Sequence, residues 1–183
     1  MTTFEPVEIA AGPYQLRPWP IAHADLDEVL IEFCRDDDTK AGIAAFQGPL
    51  DETVAGLRER RLTGWETGLY LGWGIREAST GRCLGEVTLI HADLTHQVAE
   101  IGYATRPGNR GKGVMSLAVP AACRWGFEGL GLHRIALGHM VDNVGSRRIA
   151  EKCGFTFEGR FRGDYINNGE HVDTMWWSRL ATD

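Results

Sequence analysis

The sequence predicts an α/β (α+β) domain in which an antiparallel meander of strands leads into a glycine-rich loop and a helix. From Leu69 the apolar residues recur with the period of two that is typical of strands. Runs with helical spacing precede and follow this region. The 183 residues contain no repeat, low-complexity tract or linker. We therefore expect a single domain over residues 1–183, with its core from about 14 to 180.

The first third of the chain predicts one strand and two helices. Residues 14–19 are expected to form a strand that is closed by two prolines, which cannot donate to a ladder. An apolar stripe predicts a helix over residues 23–35, and Asp36-Asp37-Asp38 is expected to be a solvated turn after it. A second helix is expected over 51–62, because its acidic start and basic end complement the helix dipole.

The remaining elements alternate in type along the chain. Strands are expected over residues 69–75, 83–90 and 96–105, with a hairpin turn at 78–81 that makes the three antiparallel. A helix then runs from about Gly113 to Phe127 in spite of Pro120. The last expected elements are a strand over 132–140, a helix over 143–153, and strands over 155–161 and 171–180.

Composition and charge narrow the class of protein. The formal net charge of -6 argues against a general nucleic-acid binder and suits a cationic or amine substrate. No apolar run is long enough for a membrane span, and the N-terminus lacks the features of a secretory signal. The four cysteines form no Cys-x-x-Cys pair, so we expect free thiols and no metal site. A cytoplasmic protein is therefore expected.

The stretch from Arg106 to Ser116, which we call the glycine loop, carries the strongest chemical signal. Glycines at 108, 111 and 113 permit positive φ angles and a close approach of a ligand to the main chain. Unpaired amides at the start of the following helix would favour an anion. The spacing fits neither a Walker A loop nor a dinucleotide fingerprint. A basic surface turn remains the alternative on spacing alone.

Several motifs in order resemble one family. Arg110-Gly-Lys-Gly-Val114 resembles the signature loop of the GNAT superfamily of N-acetyltransferases, whose pattern is Arg/Gln-x-x-Gly-x-Gly/Ala. The wider set resembles the RimJ/RimL branch, which includes N-terminal acetyltransferases of ribosomal proteins. That set comprises Leu16-Arg-Pro-Trp19, Glu100-Ile-Gly-Tyr103, Trp125-Gly-Phe127, Asn143-x-x-Ser146, Lys152-Cys-Gly-Phe155, Glu158-Gly159 and Asp173.

The resemblance implies a GNAT fold, a mixed and mostly antiparallel sheet that splits into a V between its fourth and fifth strands and is flanked by helices. Acyl-CoA, by default acetyl-CoA, would lie in that V. Its pantetheine arm would pair with the backbone of Tyr103 and Thr105, and Asn143 would bind the pantetheine amides. The loop residues expected to hold the pyrophosphate are Arg110, Gly111, Lys112, Gly113, Val114, Met115 and Ser116, with the Arg110 and Lys112 side chains adding charge there or at the 3′-phosphate.

Two departures from the family pattern concern the site. Met115 occupies a position where the family prefers Gly or Ala, so its side chain either points away from the phosphates or restricts the cleft. Ala150 stands where many GNAT enzymes place a tyrosine that protonates the CoA thiolate. Ser146 is then the nearest candidate for that acid, and a plain hydroxyl in the first turn of a helix is the alternative.

A general base is harder to assign. Glu100 is a candidate to accept the amine proton, directly or through water, although it could equally be a structural hydrogen-bond acceptor. Glu86 on the neighbouring strand is a second candidate. Without a strong base, an α-amine with pKa near 8 is a better acceptor than a lysine with pKa near 10.4.

These expectations combine into an acyl-CoA-dependent N-acyltransferase. It would transfer an acetyl group to a primary amine, a protein N-terminal α-amine or a small-molecule amine, by direct attack in a ternary complex. The alternatives are a non-catalytic acyl-CoA sensor, a succinyl or other acyl transferase, and an interaction module that lacks the site. A homodimer is possible, and no partner among nucleic acids or membranes is expected.

Overall fold

The computed structural model describes residues 4–46 and 48–183. Within them, a single eight-stranded sheet carries helices on both faces. The strands are β1 Ile9–Ala11, β2 Tyr14–Pro18, β3 Tyr70–Glu77, β4 Cys83–Asp93, β5 Val98–Thr105, β6 Arg134–Met140, β7 Thr156–Asn167 and β8 Glu170–Leu180. The helices are α1 Leu26–Arg35, α2 Asp37–Gly42, α3 Leu50–Thr67, α4 Val114–Leu130 and α5 Val144–Lys152. In this part of the chain, no helix has the length and apolar character needed to cross a membrane.

The sheet is mixed and mostly antiparallel. Its order is β1-β2-β3-β4-β5-β6-β8-β7, and β5–β6 is the parallel pair. The predicted meander is confirmed, because β3, β4 and β5 pair as consecutive antiparallel neighbours. A parallel pair needs a crossover connection, and α4 supplies it between β5 and β6.

The two parallel strands stay together over only a short distance. Their paired positions are Val98↔Arg134, Ala99↔Ile135 and Glu100↔Ala136. Beyond these pairs β5 and β6 diverge and leave a V, which confirms the predicted split. The predicted first strand, residues 14–19, is β2 in the structure, because the additional strand β1 precedes it. The predicted fourth and fifth strands are therefore β5 and β6.

Two apolar layers hold the sheet between its helices. On one face α4 packs small residues such as Ala118 and Ala122, both fully buried, against the central strands. Trp65, Trp73 and Trp125 meet at the end of this layer, with ring centroids 5.0–5.6 Å apart. On the other face α1 and α3 cover a second layer. The V therefore opens in a sheet that is covered by helices on both faces.

Several predicted boundaries were wrong, most of them because an end signal lay further along the chain. The helix predicted over 51–62 continues to Thr67, where Gly68 adopts φ +72 and ends it. The helix predicted from 23 begins at Leu26. The strand predicted to end at 161 extends to Asn167, because the hairpin turn lies at Asn168 and Gly169, both with positive φ.

The predicted solvated turn at Asp36-Asp37-Asp38 was also wrong. Asp36 is the N-cap of α2, and its side chain accepts a hydrogen bond from the Thr39 amide at 2.8 Å. An aspartate in this position satisfies a backbone donor that would otherwise lack a partner. The acidic run therefore starts a short helix, which lies close to the glycine loop.

Candidate active site in the sheet cleft

A cleft of about 1140 Å³ lies where β5 and β6 diverge. Its walls are the end of β5, the glycine loop, the end of α2, the start of α5 and the β7–β8 hairpin. All predicted site residues except Glu86, Glu100 and Lys112 line it, so the fold brings together residues that are far apart in sequence. Those lining residues are Tyr103, Thr105, Arg110, Gly111, Gly113, Val114, Met115, Ser116, Asn143 and Ser146.

The glycine loop presents an open main-chain surface to the cleft. Gly111 and Gly113 adopt φ +74° and +79°, in the left-handed region that glycine tolerates best. A Cβ atom added at either residue would have no heavy atom within 4 Å. Gly113 is also the N-cap of α4 and offers no side chain to its first amides. Unpaired amides at a helix N-terminus, together with the helix dipole, favour a bound anion.

The arginines of the loop are engaged elsewhere. Arg106 binds Glu28 and Glu32 of α1, with Nη2 to Glu28 at 2.7 Å. Arg110 binds Asp36 and Asp38 at the start of α2. Both guanidinium groups are therefore paired with carboxylates of the neighbouring helices.

Within the described part of the chain, Lys112 and two basic residues of α5 form fewer ion pairs with carboxylates than Arg106 and Arg110 do. The Lys112 ammonium donates to the Gly108 carbonyl at 2.7 Å and is exposed. Arg148 and Lys152 line the cleft, and neither has an acidic partner within 4 Å among residues 4–46 and 48–183. The sequence reasoning missed this pair. The available signal was that Arg148 and Lys152 are four residues apart in a helix that follows the N-cap Asn143, so they lie on the same face of that helix.

Met115 points into the protein interior. It is 4% exposed, and its terminal methyl lies 3.2 Å from where a Cβ of residue 85 would stand. Gly85 on β4 therefore leaves the space that the long side chain fills. This arrangement favours the first of the two predicted alternatives, in which Met115 turns away from the phosphates, and it explains how a bulky residue fits at this loop position.

Asn143, Ser146 and Tyr103 meet on the opposite wall. The Asn143 Oδ1 atom accepts a hydrogen bond from the Ser146 amide at 2.9 Å and so caps α5. The Tyr103 hydroxyl donates to the Ser146 carbonyl at 3.4 Å. Burial raises the pKa of Tyr103, which keeps its phenol protonated at neutral pH. The Tyr103 hydroxyl was not predicted as a functional group, although the tyrosine itself was named for its backbone.

The two candidate bases lie in different environments. Glu100 occupies the last position of β5 that pairs with β6, next to the point where the V opens, and its side chain is 38% exposed. Its carboxylate contacts His91 Nδ1 at 3.2 Å. It does not line the cleft, so its role stays a prediction. Glu86 is 3% exposed and is bound through both oxygens by Arg61, which makes it a structural residue rather than a base.

His139 fixes the end of β6 beside the cleft as a neutral side chain. Its Nδ1 donates to the Met140 carbonyl at 2.8 Å, and its Nε2 accepts from Trp177 Nε1 at 3.0 Å. Burial lowers the pKa of His139 below its ordinary value. As the pH falls below about 6.5, the His139 side chain is therefore protonated more readily in the unfolded state than in the folded state.

As the pH is lowered from 7.5 to 5.5, we expect the contribution of His139 to the free energy of unfolding to fall, because the unfolded chain binds more protons at this residue in that range. The His139→Gln variant should show a smaller fall. Urea unfolding followed by tryptophan fluorescence at the two pH values measures this difference. An equal fall in the wild-type protein and in His139→Gln would contradict the assignment.

Comparison with known proteins supports the fold. The family profile described as Acetyltransferase (GNAT) domain matches residues 15–156. The putative ribosomal N-acetyltransferase YdaF of Bacillus subtilis is 35% identical over 103 residues, which is 56% of this chain and 56% of YdaF. The probable N-acetyltransferase YjcK of the same species is 40% identical over 138 residues, covering 72% of this chain and 75% of YjcK.

A solved structure has the same architecture. RimL, a ribosomal L7/L12 α-N-protein acetyltransferase in complex with coenzyme A, superposes with a TM-score of 0.80 at 20% identity, over 95% of this chain and 98% of RimL. The present chain spans about half the length of YdaF in their alignment. The family profile, in contrast, covers most of the present chain. The predicted fold and superfamily are thereby confirmed. The chain belongs to the GNAT family of acetyltransferases.

Proposed function

We propose that the protein is an N-acetyltransferase that transfers an acetyl group from acetyl-CoA to a primary amine in the cleft between β5 and β6. The observation that carries the proposal is the open glycine loop at the N-terminus of α4, placed at the mouth of that cleft. Isothermal titration with acetyl-CoA tests the binding step, and mass spectrometry of an acetylated acceptor tests the transfer.

Acetyl-CoA fits the cleft with its pyrophosphate at the loop. The amides from Arg110 to Ser116 would hold the phosphates, and Arg148 and Lys152 would add positive charge. Beyond Glu100 the β6-facing edge of β5 has no strand partner, so the pantetheine arm would add there as an extra strand along Tyr103 and Thr105. Asn143 keeps its Nδ2 donor for a pantetheine carbonyl, since Oδ1 caps α5.

The chemistry is a direct transfer. The neutral amine nitrogen attacks the thioester carbonyl carbon, the carbon–sulfur bond breaks, and the departing CoA thiolate takes a proton. Ser146 and Tyr103 both line the cleft, and we assign the supply of that proton to their hydroxyl groups. The attacking nitrogen carries an extra proton in the tetrahedral intermediate and loses it to Glu100 or water, and an amide and CoA are released.

An acyl-enzyme on cysteine does not fit the structure. All four cysteines are buried, and burial raises the pKa of Cys83 to about 11 and that of Cys123 to about 12. A buried thiol with a raised pKa is a poor nucleophile, because the thiolate is the reactive form. The ternary complex therefore remains the mechanism that these residues support.

An α-amine is the acceptor that this site suits best. The described cleft residues offer no histidine to remove a proton, and roughly a tenth of an α-amine is already neutral at pH 7. RimL, which shares the fold, acts on a protein α-amine. Peptides with N-terminal serine or alanine should therefore be acetylated faster than lysine side chains, with spermidine as the small-amine comparison.

Substitution of the two hydroxyl residues separates catalysis from binding. We expect Ser146→Ala and Tyr103→Phe each to lower kcat by about tenfold to a hundredfold, because general acid catalysis contributes 10²–10⁴-fold and each hydroxyl can partly replace the other. The dissociation constant of acetyl-CoA should change by less than about threefold, since neither hydroxyl is assigned to a phosphate. Steady-state kinetics and calorimetry measure the two quantities.

The double variant gives the control for shared function. If the hydroxyls serve the same proton transfer, Ser146→Ala with Tyr103→Phe should cost more than the product of the single effects. Unchanged kcat in all three variants would remove both residues from the mechanism. Tight acetyl-CoA binding by the wild-type protein with no product from any acceptor would instead favour a sensor of acyl-CoA.

A further inference from the structure

The Arg110 side chain leaves the glycine loop towards the start of α2. Its Nη1 atom donates to Asp36 Oδ1 at 3.3 Å and to Asp38 Oδ2 at 3.0 Å, and its Nη2 atom donates to Asp36 and to Thr39 Oγ1 at 2.8 Å. The Asp36 side chain is 17% exposed and that of Asp38 is 87% exposed, so Asp36 is the stronger partner. We call this set of contacts the Arg110 clamp.

Asp36 accepts hydrogen bonds both from Arg110 of the glycine loop and from Thr39 of α2. One of its oxygens accepts hydrogen bonds from the Thr39 amide at 2.8 Å and from the Thr39 hydroxyl at 2.7 Å. Partial burial raises the pKa of Asp36, but the hydrogen bonds from Arg110 and Thr39 outweigh it and hold the pKa at about 2. The carboxylate is thus ionised throughout the neutral range, and a single side chain joins the loop to the first turn of α2.

The other end of α2 touches the opposite wall of the cleft. The Ala41 carbonyl accepts a hydrogen bond from Asn167 Nδ2 at 3.1 Å, and Asn167 belongs to the β7–β8 hairpin. A Cβ at Gly42 would lie 3.0 Å from Asn143 Nδ2, so α2 comes close to the start of α5. This short helix therefore spans the cleft from the glycine loop to the hairpin, and residues 41–43 form part of the cleft lining.

We propose that Arg110 is a positioning residue that couples the phosphate-binding loop to α2, so that occupation of the loop by CoA orders the helix that spans the cleft between the loop and the β7–β8 hairpin. The inference rests on the proposed function, because CoA is the ligand of the loop. CoA binding holds the loop backbone, the Arg110 clamp carries that constraint to Asp36, and residues 37–43 become less free to open.

The rival role for Arg110 is direct binding of a CoA phosphate. In that role the guanidinium would contact the ligand, and its loss would weaken CoA binding strongly. Removing the negative charge of Asp36 would then leave CoA binding unchanged or strengthen it. In the coupling role, Arg110→Gln and Asp36→Asn break the same contact and share one phenotype. Asn is also a good N-cap, so Asp36→Asn keeps the start of α2.

The test is hydrogen–deuterium exchange of residues 37–43 with and without saturating CoA, alongside calorimetric CoA affinity. Wild-type protein should show exchange slowed by at least about fivefold on adding CoA. Arg110→Gln, Asp36→Asn and the double variant should each lose most of that protection, and Arg110→Gln should change CoA affinity by no larger factor than Asp36→Asn does. Asp37→Asn is the matched control, since Asp37 lies in α2 and pairs with Lys40 instead of the loop.

Each outcome decides the inference. Protection that disappears in the three clamp variants and persists in Asp37→Asn supports it. Protection that survives in the clamp variants overturns it, since CoA would then be contacting α2 directly. A loss of CoA affinity of tenfold or more in Arg110→Gln but not in Asp36→Asn overturns it in favour of phosphate binding. Wild-type protein that binds CoA without any protection overturns the coupling alone, whereas absence of CoA binding rejects the proposed function as well.

Discussion

Gly111→Val should lower the affinity for acetyl-CoA by at least about a hundredfold. Gly111 adopts φ +74°, where a β-branched residue is strained, and its Cβ position faces open space at the loop surface. A valine there would both shift the loop amides and occupy the approach to the phosphates. Loss of two charge-assisted hydrogen bonds costs about 3 kcal/mol or more, which corresponds to that factor. Isothermal titration with acetyl-CoA measures it.

A control with the same backbone strain exists in the chain. Gly81 also adopts φ +74° with no heavy atom near its Cβ position, but it lies in the β3–β4 turn and does not line the cleft. Gly81→Val should therefore cost similar stability and leave acetyl-CoA affinity unchanged. Equal affinities of the Gly111→Val and wild-type proteins would contradict the role of the loop.

Glu86→Gln should lower the free energy of unfolding by about 3–5 kcal/mol, because it leaves a buried guanidinium without its counter-charge. Arg61 and Glu86 are 2% and 3% exposed, and Arg61 Nε donates to Glu86 Oε2 at 2.7 Å. The Tyr70 hydroxyl donates to the same carboxylate at 3.4 Å. The pair ties α3 to β4 at the centre of the sheet. Urea unfolding at pH 7 measures the loss.

An exposed ion pair gives the comparison. Arg17 donates to Glu8 at 2.9 Å, with side chains 38% and 44% exposed. Glu8→Gln should change the free energy of unfolding by less than about 1 kcal/mol, since surface pairs contribute little. If Glu86→Gln were as mild as Glu8→Gln, the Arg61–Glu86 pair would not be a main support of the sheet, and Glu86 would become available again as a base.

The local features of the site were predictable from sequence. Closely spaced glycines before an apolar helical run indicate a loop that presents its amides, and the structure has Gly111 and Gly113 in the left-handed region. The Asn143-x-x-Ser146 pattern indicates a helix start, and Asn143 caps α5. These features depend on neighbours in sequence, which is why spacing and propensity reveal them.

The side-chain partners were not predictable, because they come from distant segments. Arg110 was expected to add charge at the phosphates, but Asp36, which binds it, lies 74 residues earlier. The Tyr103 hydroxyl and Ser146 are 43 residues apart, and Arg61 and Glu86 are 25 apart. Periodicity records which face of an element is buried, not which charge or hydroxyl it meets across the fold.

The most direct test of the proposed function follows acetyl transfer in a single reaction. Purified protein is incubated with acetyl-CoA and a peptide with a free N-terminal serine or alanine, with spermidine and an N-terminally blocked lysine peptide in parallel. Mass spectrometry then follows the acetylated acceptor together with free CoA. We predict equal amounts of acetylated α-amine and CoA from the wild-type protein, and no product from Gly111→Val. Release of CoA without acetylated amine, or equal turnover by both proteins, would contradict the account.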